Sequence, residues 1–238
     1  MPSVSIRRSA AGCLICGRPL VYAQGTERKK CRVCGRVFDA ETYCAAGHYV
    51  CDECHAGGAM SAVRGVCLSA ETTDPWAVAL EIMRLPAVNL HGPEHHVIIG
   101  SALMTAYSNA TGTRDKLAKS LGIIEKRGTK VPGGTCGFWG ACGAGLGAGI
   151  FLAVVTESTP LSADTYGLCN RLTARCLAAI GEVGGPRCCK RNVGIALRET
   201  VAFLREELGV ALTEPAIACE FSGKNRECIG KKCAWNVN

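Results

Sequence analysis

Aromatic side chains are scarce in this chain, because Phe, Trp and Tyr make up only 5% of its 238 residues. Proteins that hold single-stranded nucleic acid stack the bases on such rings, so few stacking platforms are available. Long apolar runs are missing as well. The longest, residues 141–155, has 15 residues and contains four glycines, whereas a membrane-spanning helix needs about 20 apolar residues. We therefore expect no membrane partner.

Several enzyme signatures are absent too. The chain has no G-x-S-x-G nucleophile elbow, no phosphate-binding loop and no dinucleotide fingerprint behind a strand. The first residues also lack the apolar segment of a secretory signal peptide. We therefore expect a cytoplasmic protein.

Cysteine, in contrast, is abundant, with 17 residues. Secreted disulfide scaffolds reach such densities, but they are usually shorter than about 100 residues. In a reducing cytosol, a chain this rich in thiols is more often a metal protein than a disulfide protein. The odd number of cysteines also argues against complete internal pairing.

The excess positive charge lies at one end of the chain. Residues 1–36 contain eight basic side chains and one acidic one, Glu27, and the formal net charge of the whole chain is +7. This segment makes nucleic acid a candidate partner through residues 1–36. Metal-bound thiolates would make the folded protein less basic than its sequence indicates.

The composition changes near residue 68. Residues 1–68 hold eight cysteines and two histidines with little helical periodicity. Residues 69–238 contain segments with helix-start and helix-end signals, and these predict helices over 75–85, 93–109, 114–127, 141–155, 162–180 and 186–208. The sequence thus predicts a mainly α protein. We expect a small β-rich two-zinc module at residues 1–68, then a compact all-α domain at residues 69–238 with a Cys-rich C-terminal tail.

Four pairs of metal ligands follow one another in the first module. They are Cys13/Cys16, Cys31/Cys34, Cys44/His48 and Cys51/Cys54. Two cysteines separated by two residues, as in three of the pairs, can present both sulfurs from one tight turn to a tetrahedral ion. Together with Cys44 and His48, which are separated by three residues, they supply eight ligands, enough for two closed structural zinc sites. Unmetallated thiols are the alternative. The neighbouring His55 is either a spare ligand or a residue of the helix surface.

Two groupings of these pairs are open. In the sequential order, the first two pairs form a zinc ribbon and the last two form a second site. In the interleaved order, Cys13/Cys16 joins Cys44/His48 and Cys31/Cys34 joins Cys51/Cys54. The stretch from Cys44 to Cys54 resembles the middle of RING-type modules, which favours interleaving. A treble-clef-like arrangement would place a hairpin at residues 36–49 and open a helix at Cys51 and Cys54.

Four segments of the second domain are distinctive. They are residues 91–96 (HGPEHH), 133–144 (GGTCGFWGACGA), 184–191 (GGPRCCKR) and the tail from Cys219 to Cys233. Together they resemble a family of uncharacterised, cysteine-rich proteins from anaerobic archaea and bacteria, over roughly residues 75–238. The resemblance implies a shared fold and says little about activity.

Five cysteines of this domain are candidate ligands of an iron–sulfur cluster: Cys188, Cys189, Cys219, Cys228 and Cys233. Arginines and lysines near them would offset the negative charge of a 4Fe–4S cluster. Zinc or redox-active free thiols are the alternatives, since the spacing is not that of a ferredoxin. Cys169 and Cys176, on one helix, are interpreted as small buried packing residues.

The candidate catalytic residues are Cys136, Cys142, His91, His95 and Glu94. We expect Cys142 and Cys189 to lie at helix starts, where the helix dipole lowers a thiol pKa. A histidine exchanges protons near neutral pH. The alternatives are structural hydrogen bonding by the histidines and, for residues 134–149, a tight helix-packing seam with cysteines as fillers.

Two functions remain. The favoured one is a cytosolic metalloprotein with two zinc ions and a 4Fe–4S cluster that carries out thiol redox or sulfur-transfer chemistry on a small-molecule or protein thiol. The alternative is a non-enzymatic module that binds nucleic acid or protein, with the cluster as a sensor or structural staple. An open pocket that joins His95, Cys142 and Cys188 would favour the enzyme.

Overall fold

The computed structural model describes residues 12–236 and is mainly α-helical. Two strands, β1 (Leu20–Lys30) and β2 (Val37–Cys44), come first. The α-helices are α1 (Asp52–Ala56), α2 (Ala59–Ser69), α3 (Pro75–Arg84), α4 (Glu94–Thr111), α5 (Leu117–Gly128), α6 (Thr135–Phe138), α7 (Gly143–Val155), α8 (Asp164–Val183) and α9 (Cys189–Leu208). Short 3-10 turns occupy Arg114–Lys116, Ser222–Lys224 and Gly230–Lys232. The predicted fold class is confirmed.

The small sheet pairs β1 with β2 in antiparallel register, from Leu20 opposite Cys44 to Lys30 opposite Val37. The turn between them is the Cys31–Arg36 loop, closed by a 2.8 Å bond from Cys31 N–H to the Arg36 carbonyl. The prediction of a hairpin at residues 36–49 is therefore wrong. The strand that follows Arg36 pairs backward with β1 because the metal-ligand turn lies between them.

Local capping explains why the predicted helices form. Asp74 accepts a 2.8 Å hydrogen bond from Trp76 N–H, and Pro75 occupies the first turn of α3, the arrangement that starts helices efficiently. At the other end of the domain, Gly209 adopts a left-handed conformation (φ 64°) and ends α9. The six predicted helices are all present, with shifted ends.

Helix α4 forms the centre of the helical body. It is buried along most of its length and contacts α2, α3, α5, α7 and α9. Helix α7 packs between α4 and α8 through its glycines. A Cβ atom at Gly143 would collide with the His96 ring on α4, and one at Gly149 would collide with Thr173 on α8. The small residues of α7 therefore do form a tight packing seam.

Helix α2 was not predicted. Its residues Ala59, Val63 and Cys67 belong to the main hydrophobic core, so the helical body includes residues that precede position 68. The division into domains at 68 stays a prediction. Within residues 12–236, no helix combines the length and apolar character needed to cross a membrane.

Candidate metal sites and a thiol-lined cleft

The eight predicted ligands of the N-terminal module form two groups. One contains Cys13, Cys16, Cys44 and His48, and the other contains Cys31, Cys34, Cys51 and Cys54. Within each group the ligand atoms all lie within 4.8 Å of one another. The interleaved grouping is therefore confirmed, and each group can hold a metal ion. The likeness to RING-type modules stays a prediction.

Backbone geometry aims these sulfurs inward. Gly17 and Gly35 follow the first two cysteine pairs with φ values of 76° and 73°, a conformation that favours glycine. The N–H groups of Ile15 and Val33 each donate to a cysteine sulfur at 3.4 Å. Cys51 precedes α1 and Cys54 lies within it, as predicted.

A second group of cysteines surrounds a small, mostly apolar cavity at the C-terminal tail. It comprises Cys188, Cys219, Cys228 and Cys233. Backbone N–H groups of Phe221 and Gly230 donate to the sulfurs of Cys219 and Cys228, each at 3.4 Å. The tail is held in place by a 2.8 Å bond from Cys219 N–H to the Trp235 carbonyl. Four of the five predicted cluster ligands are thus brought together.

A larger cleft of about 270 Å³ lies between the N-terminal module and the helical body. The body contributes His91, His95, His96, Cys136, Cys142, Arg187 and Cys189, and the module contributes residues such as Tyr22, Asp52 and His55. The predicted catalytic residues therefore share one cleft, with one exception. The cleft wall does not include Glu94.

The adjacent cysteines separate at the start of α9. Cys188 is the extended N-cap residue, with φ −145° and ψ 103°, and Cys189 is the first helical residue. Cys188 lines the tail cavity and Cys189 lines the cleft. The predicted pocket thus joins His95 and Cys142 to Cys189, not to Cys188.

Asn225 links the two sites. Its Nδ2 donates to Cys188 Sγ at 3.6 Å, and its Oδ1 lies 3.1 Å from His91 Nε2. On the other side of the imidazole, Cys189 N–H donates to Nδ1 at 3.5 Å. Burial, aided by nearby Arg187, lowers the pKa of His91 to about 4. A neutral imidazole suits this chain of donors and acceptors.

The expected lowering of the thiol pKa at Cys189 is wrong. Burial raises its pKa to about 12, although the positive charge of Arg187 opposes the shift. Burial also raises the pKa of Cys136 and Cys188. The cost of burying a thiolate outweighs the helix dipole at these positions. Without a bound metal, the Cys189 thiol is protonated at neutral pH.

Glu94 serves a buried network next to the cleft. Its Oε1 accepts from Asn89 N–H at 2.9 Å, and its Oε2 lies 3.6 Å from His55 Nδ1. Burial opposes ionisation, but contacts with His55 and His95 bring the pKa of Glu94 down to about 2. His55 also contacts Asn89 at 3.2 Å, so it joins the module to the helical body. The position of His55 in the sequence did not indicate this role. A catalytic role for Glu94 stays a prediction.

Two buried polar atoms that belong to cleft residues have no hydrogen-bond partner within the described part of the chain. They are His95 Nε2 and Thr135 Oγ1. His95 Nδ1 lies 3.0 Å from the Gly92 carbonyl, which makes this nitrogen the protonated one and leaves Nε2 as an acceptor. Unpaired buried atoms of this kind point to a ligand.

The basic N-terminal segment is described only in part, since Arg7 and Arg8 lie outside residues 12–236. Lys29 forms an ion pair with Glu27 at 2.7 Å, and Arg36 pairs with Glu53. Arg28, Lys30 and Arg32 are exposed. Nucleic-acid binding through residues 1–36 stays a prediction.

Comparison with known proteins gives one positive result. No curated protein and no solved structure matches the chain. A family model described as a family of unknown function, DUF5714, matches residues 63–236, which agrees with the resemblance of the C-terminal segments to an uncharacterised family. The match begins within α2 and includes α9, the cleft cysteines and the tail. The chain therefore belongs to the DUF5714 family.

Proposed function

We propose that the protein is a cytosolic iron–sulfur enzyme of thiol redox or sulfur-transfer chemistry, stabilised by two structural zinc ions. One observation carries the proposal. Cys188 joins three tail cysteines around one cavity, while its neighbour Cys189 lies with Cys136 and Cys142 in an open cleft. In this proposal, neighbouring residues belong to a cluster site and to a group of substrate-facing thiols.

The N-terminal groups suit zinc. Zn–S bonds of about 2.3 Å place two tetrahedral thiolates about 3.8 Å apart. Cys16 and Cys44 Sγ are 3.5 Å apart, and Cys34 and Cys51 Sγ are 3.8 Å apart. Closed sites made of three or four thiolates are structural, so these two ions are proposed to hold the module in shape.

At the tail cysteines we favour a cluster over a single ion. Within residues 12–236, the two N-terminal groups are the only sets of three or more candidate ligands with their ligand atoms within 4.8 Å of one another, and the tail cysteines do not form a third set. A 4Fe–4S cluster binds each thiolate on a different iron, so its four cysteines lie farther apart than the ligands of one zinc ion. The N–H groups that donate to Cys219 and Cys228 Sγ would stabilise cluster-bound sulfur. Arg191 supplies positive charge beside Cys188.

The cleft supports the enzyme over a non-enzymatic binding module. A bound cluster would supply one-electron transfer to the neighbouring thiols. Cys136 is exposed, whereas Cys142 and Cys189 are half-buried, so we expect a substrate to meet Cys136 first. Asn192 Nδ2 donates to Cys142 Sγ at 3.3 Å and holds this sulfur in the cleft.

Anaerobic reconstitution tests the proposal. Zinc-loaded protein is incubated with ferrous iron and sulfide, and bound iron and acid-labile sulfide are measured. We expect about four of each per chain in the wild type. Cys188→Ser and Cys219→Ser should bind much less because each removes a ligand. Cys189→Ser should bind as much as the wild type.

Cys176→Ser is the matched control, because Cys176 is buried within the helical body and lines neither site. Zinc content and circular dichroism identify variants that do not fold. A wild type that binds no iron and sulfide would refute the cluster, and so would full binding by Cys188→Ser and Cys219→Ser.

A further inference from the structure

Arg187 is a cation next to the cleft thiols. Its positive charge acts on Cys136 and on Cys189, and its side chain lines the same cleft as both. The guanidinium lies over the Tyr22 ring, with Cζ 5.4 Å from the ring centre. The module and the helical body therefore hold this cation between them.

The guanidinium has unused hydrogen-bonding capacity. Among residues 12–236 it forms no hydrogen bond, and its ion pair is with Glu227, whose Oε2 lies 3.5 Å from Nε. That carboxylate oxygen also lies 3.6 Å from His91 Nε2. An arginine has five N–H donors in a planar fork that suits a carboxylate. Most of these donors remain available in the cleft.

Buried polar atoms of His95 and Thr135 are a second, independent indication of a ligand in the cleft. Their side-chain atoms Nε2 and Oγ1 are buried, unpartnered within the described residues and part of side chains that line the cleft. Nε2 is an acceptor and therefore calls for a donor on the ligand, while the Thr135 hydroxyl can donate or accept. Together with Arg187, these groups would suit a ligand that has both an anionic group and a hydrogen-bond donor.

We propose that the cleft binds a small disulfide of the amino-acid type, with a carboxylate held by Arg187 and an amino group facing His95. This inference rests on the proposed thiol function and names its substrate class. Arg187, Cys136 and Cys142 line the same cleft, so a carboxylate bound at Arg187 places the sulfur–sulfur bond of the substrate in the cleft that holds these thiols. The positive charge also offsets part of the rise that burial gives the pKa of the Cys136 thiol.

The reaction balances without a further oxidant. The Cys136 sulfur attacks one substrate sulfur, a mixed disulfide forms, and half of the substrate leaves as a thiol with the proton from Cys136. Cys142 then attacks the Cys136 sulfur, a Cys136–Cys142 disulfide forms, and the second half leaves with the proton from Cys142. The substrate gains two electrons and two protons, and the protein loses them.

Cystine and cystamine form a matched pair of probes. Both are small disulfides with two amino groups, and only cystine has carboxylates. The single-turnover rate of thiol release is measured with reduced, metal-loaded full-length protein. We expect cystine to react about tenfold faster or more, the usual effect of a hydrogen bond between charged groups. Arg187→Ala should abolish this preference, and Arg187→Lys should restore part of it because it keeps the charge.

Arg205→Ala is the control, since Arg205 is exposed at the other end of α9 and pairs with Glu214. The Arg205→Ala variant should keep the preference for cystine over cystamine. Equal rates for the two disulfides in the wild type, or an equal loss for both in Arg187→Ala, would overturn the carboxylate site and leave the thiol function standing. A wild type that reacts with neither disulfide would overturn both.

Discussion

At the scale of single residues, the two adjacent cysteines at the start of α9 line different sites. The N-cap residue has an extended backbone and the next residue is helical, so their side chains diverge. The sequence identified both as metal or redox residues, but it could not assign them. The assignment depends on which of the two cysteines faces the C-terminal tail. The cysteines of that tail lie more than 30 positions downstream in the sequence. Asn225 was missed, and the contact of His55 with the helical body was not predicted, because a lone Asn or His carries no spacing signal.

The glycines of α7 give a test at the same scale. Gly143→Ala should lower the free energy of unfolding by about 1–3 kcal/mol, because the new methyl group collides with the buried His96 ring. Chemical denaturation of the metal-loaded protein measures the change.

Gly181→Ala is the matched control, because a methyl group at this position of α8 would meet no neighbouring side chain or loop within 4 Å. It should be neutral or should stabilise the helix by up to about 1 kcal/mol. If both substitutions have the same small effect, α7 does not form a tight seam.

At the scale of elements, capping signals were the most informative part of the sequence. Asp74-Pro75 and Leu208-Gly209 predicted a helix start and a helix end because these residues act locally. Helix α2 was missed because it starts at Gly58 without a side-chain cap and is held by packing on α4. The hairpin was misplaced because strand pairing is non-local, and no local rule showed that the Cys31–Arg36 loop joins two paired strands.

Helix α1 connects the metal-binding module to the wall of the cleft. It follows Cys51 and contains Cys54, and Asp52 Oδ2 accepts a 2.7 Å hydrogen bond from Gly133 N–H. That residue leads into α6, which carries Cys136. The module is therefore part of the cleft wall as well as a stabilising unit.

Hydrogen exchange tests this connection. Asp52→Ala should expose the Gly133 amide and speed its exchange by about tenfold or more, since a hydrogen bond to a charged acceptor contributes about 1.5–3 kcal/mol. Removal of metal by a chelator should have the same effect.

Glu53→Ala is the control for this measurement, because Glu53 is the next residue in α1 and pairs with Arg36 instead. It should leave exchange at Gly133 unchanged. Unchanged exchange in Asp52→Ala would mean that α1 does not hold this turn.

At the scale of the whole molecule, two halves of different composition enclose one cleft. The sequence correctly predicted a Cys-rich module followed by helices, because cysteine spacing and helical periodicity are properties of short segments. The cleft between the halves was not predictable from such patterns, because its walls come from residues as far apart as Tyr22 and Asn192. The polar atoms of the cleft that have no partner among residues 12–236, and the position of Arg187 beside the thiols, could be identified only from the folded structure.

The central claim is that Cys188 and Cys189 serve different sites, and differential alkylation tests it most directly. Anaerobic protein is treated with a small alkylating reagent before and after loading with iron and sulfide, and each cysteine is followed by peptide mass spectrometry. Loading should protect Cys188 together with Cys219, Cys228 and Cys233, and it should leave the rates at Cys136, Cys142 and Cys189 unchanged. Protection of Cys189 in place of Cys188, or of both equally, would contradict the account.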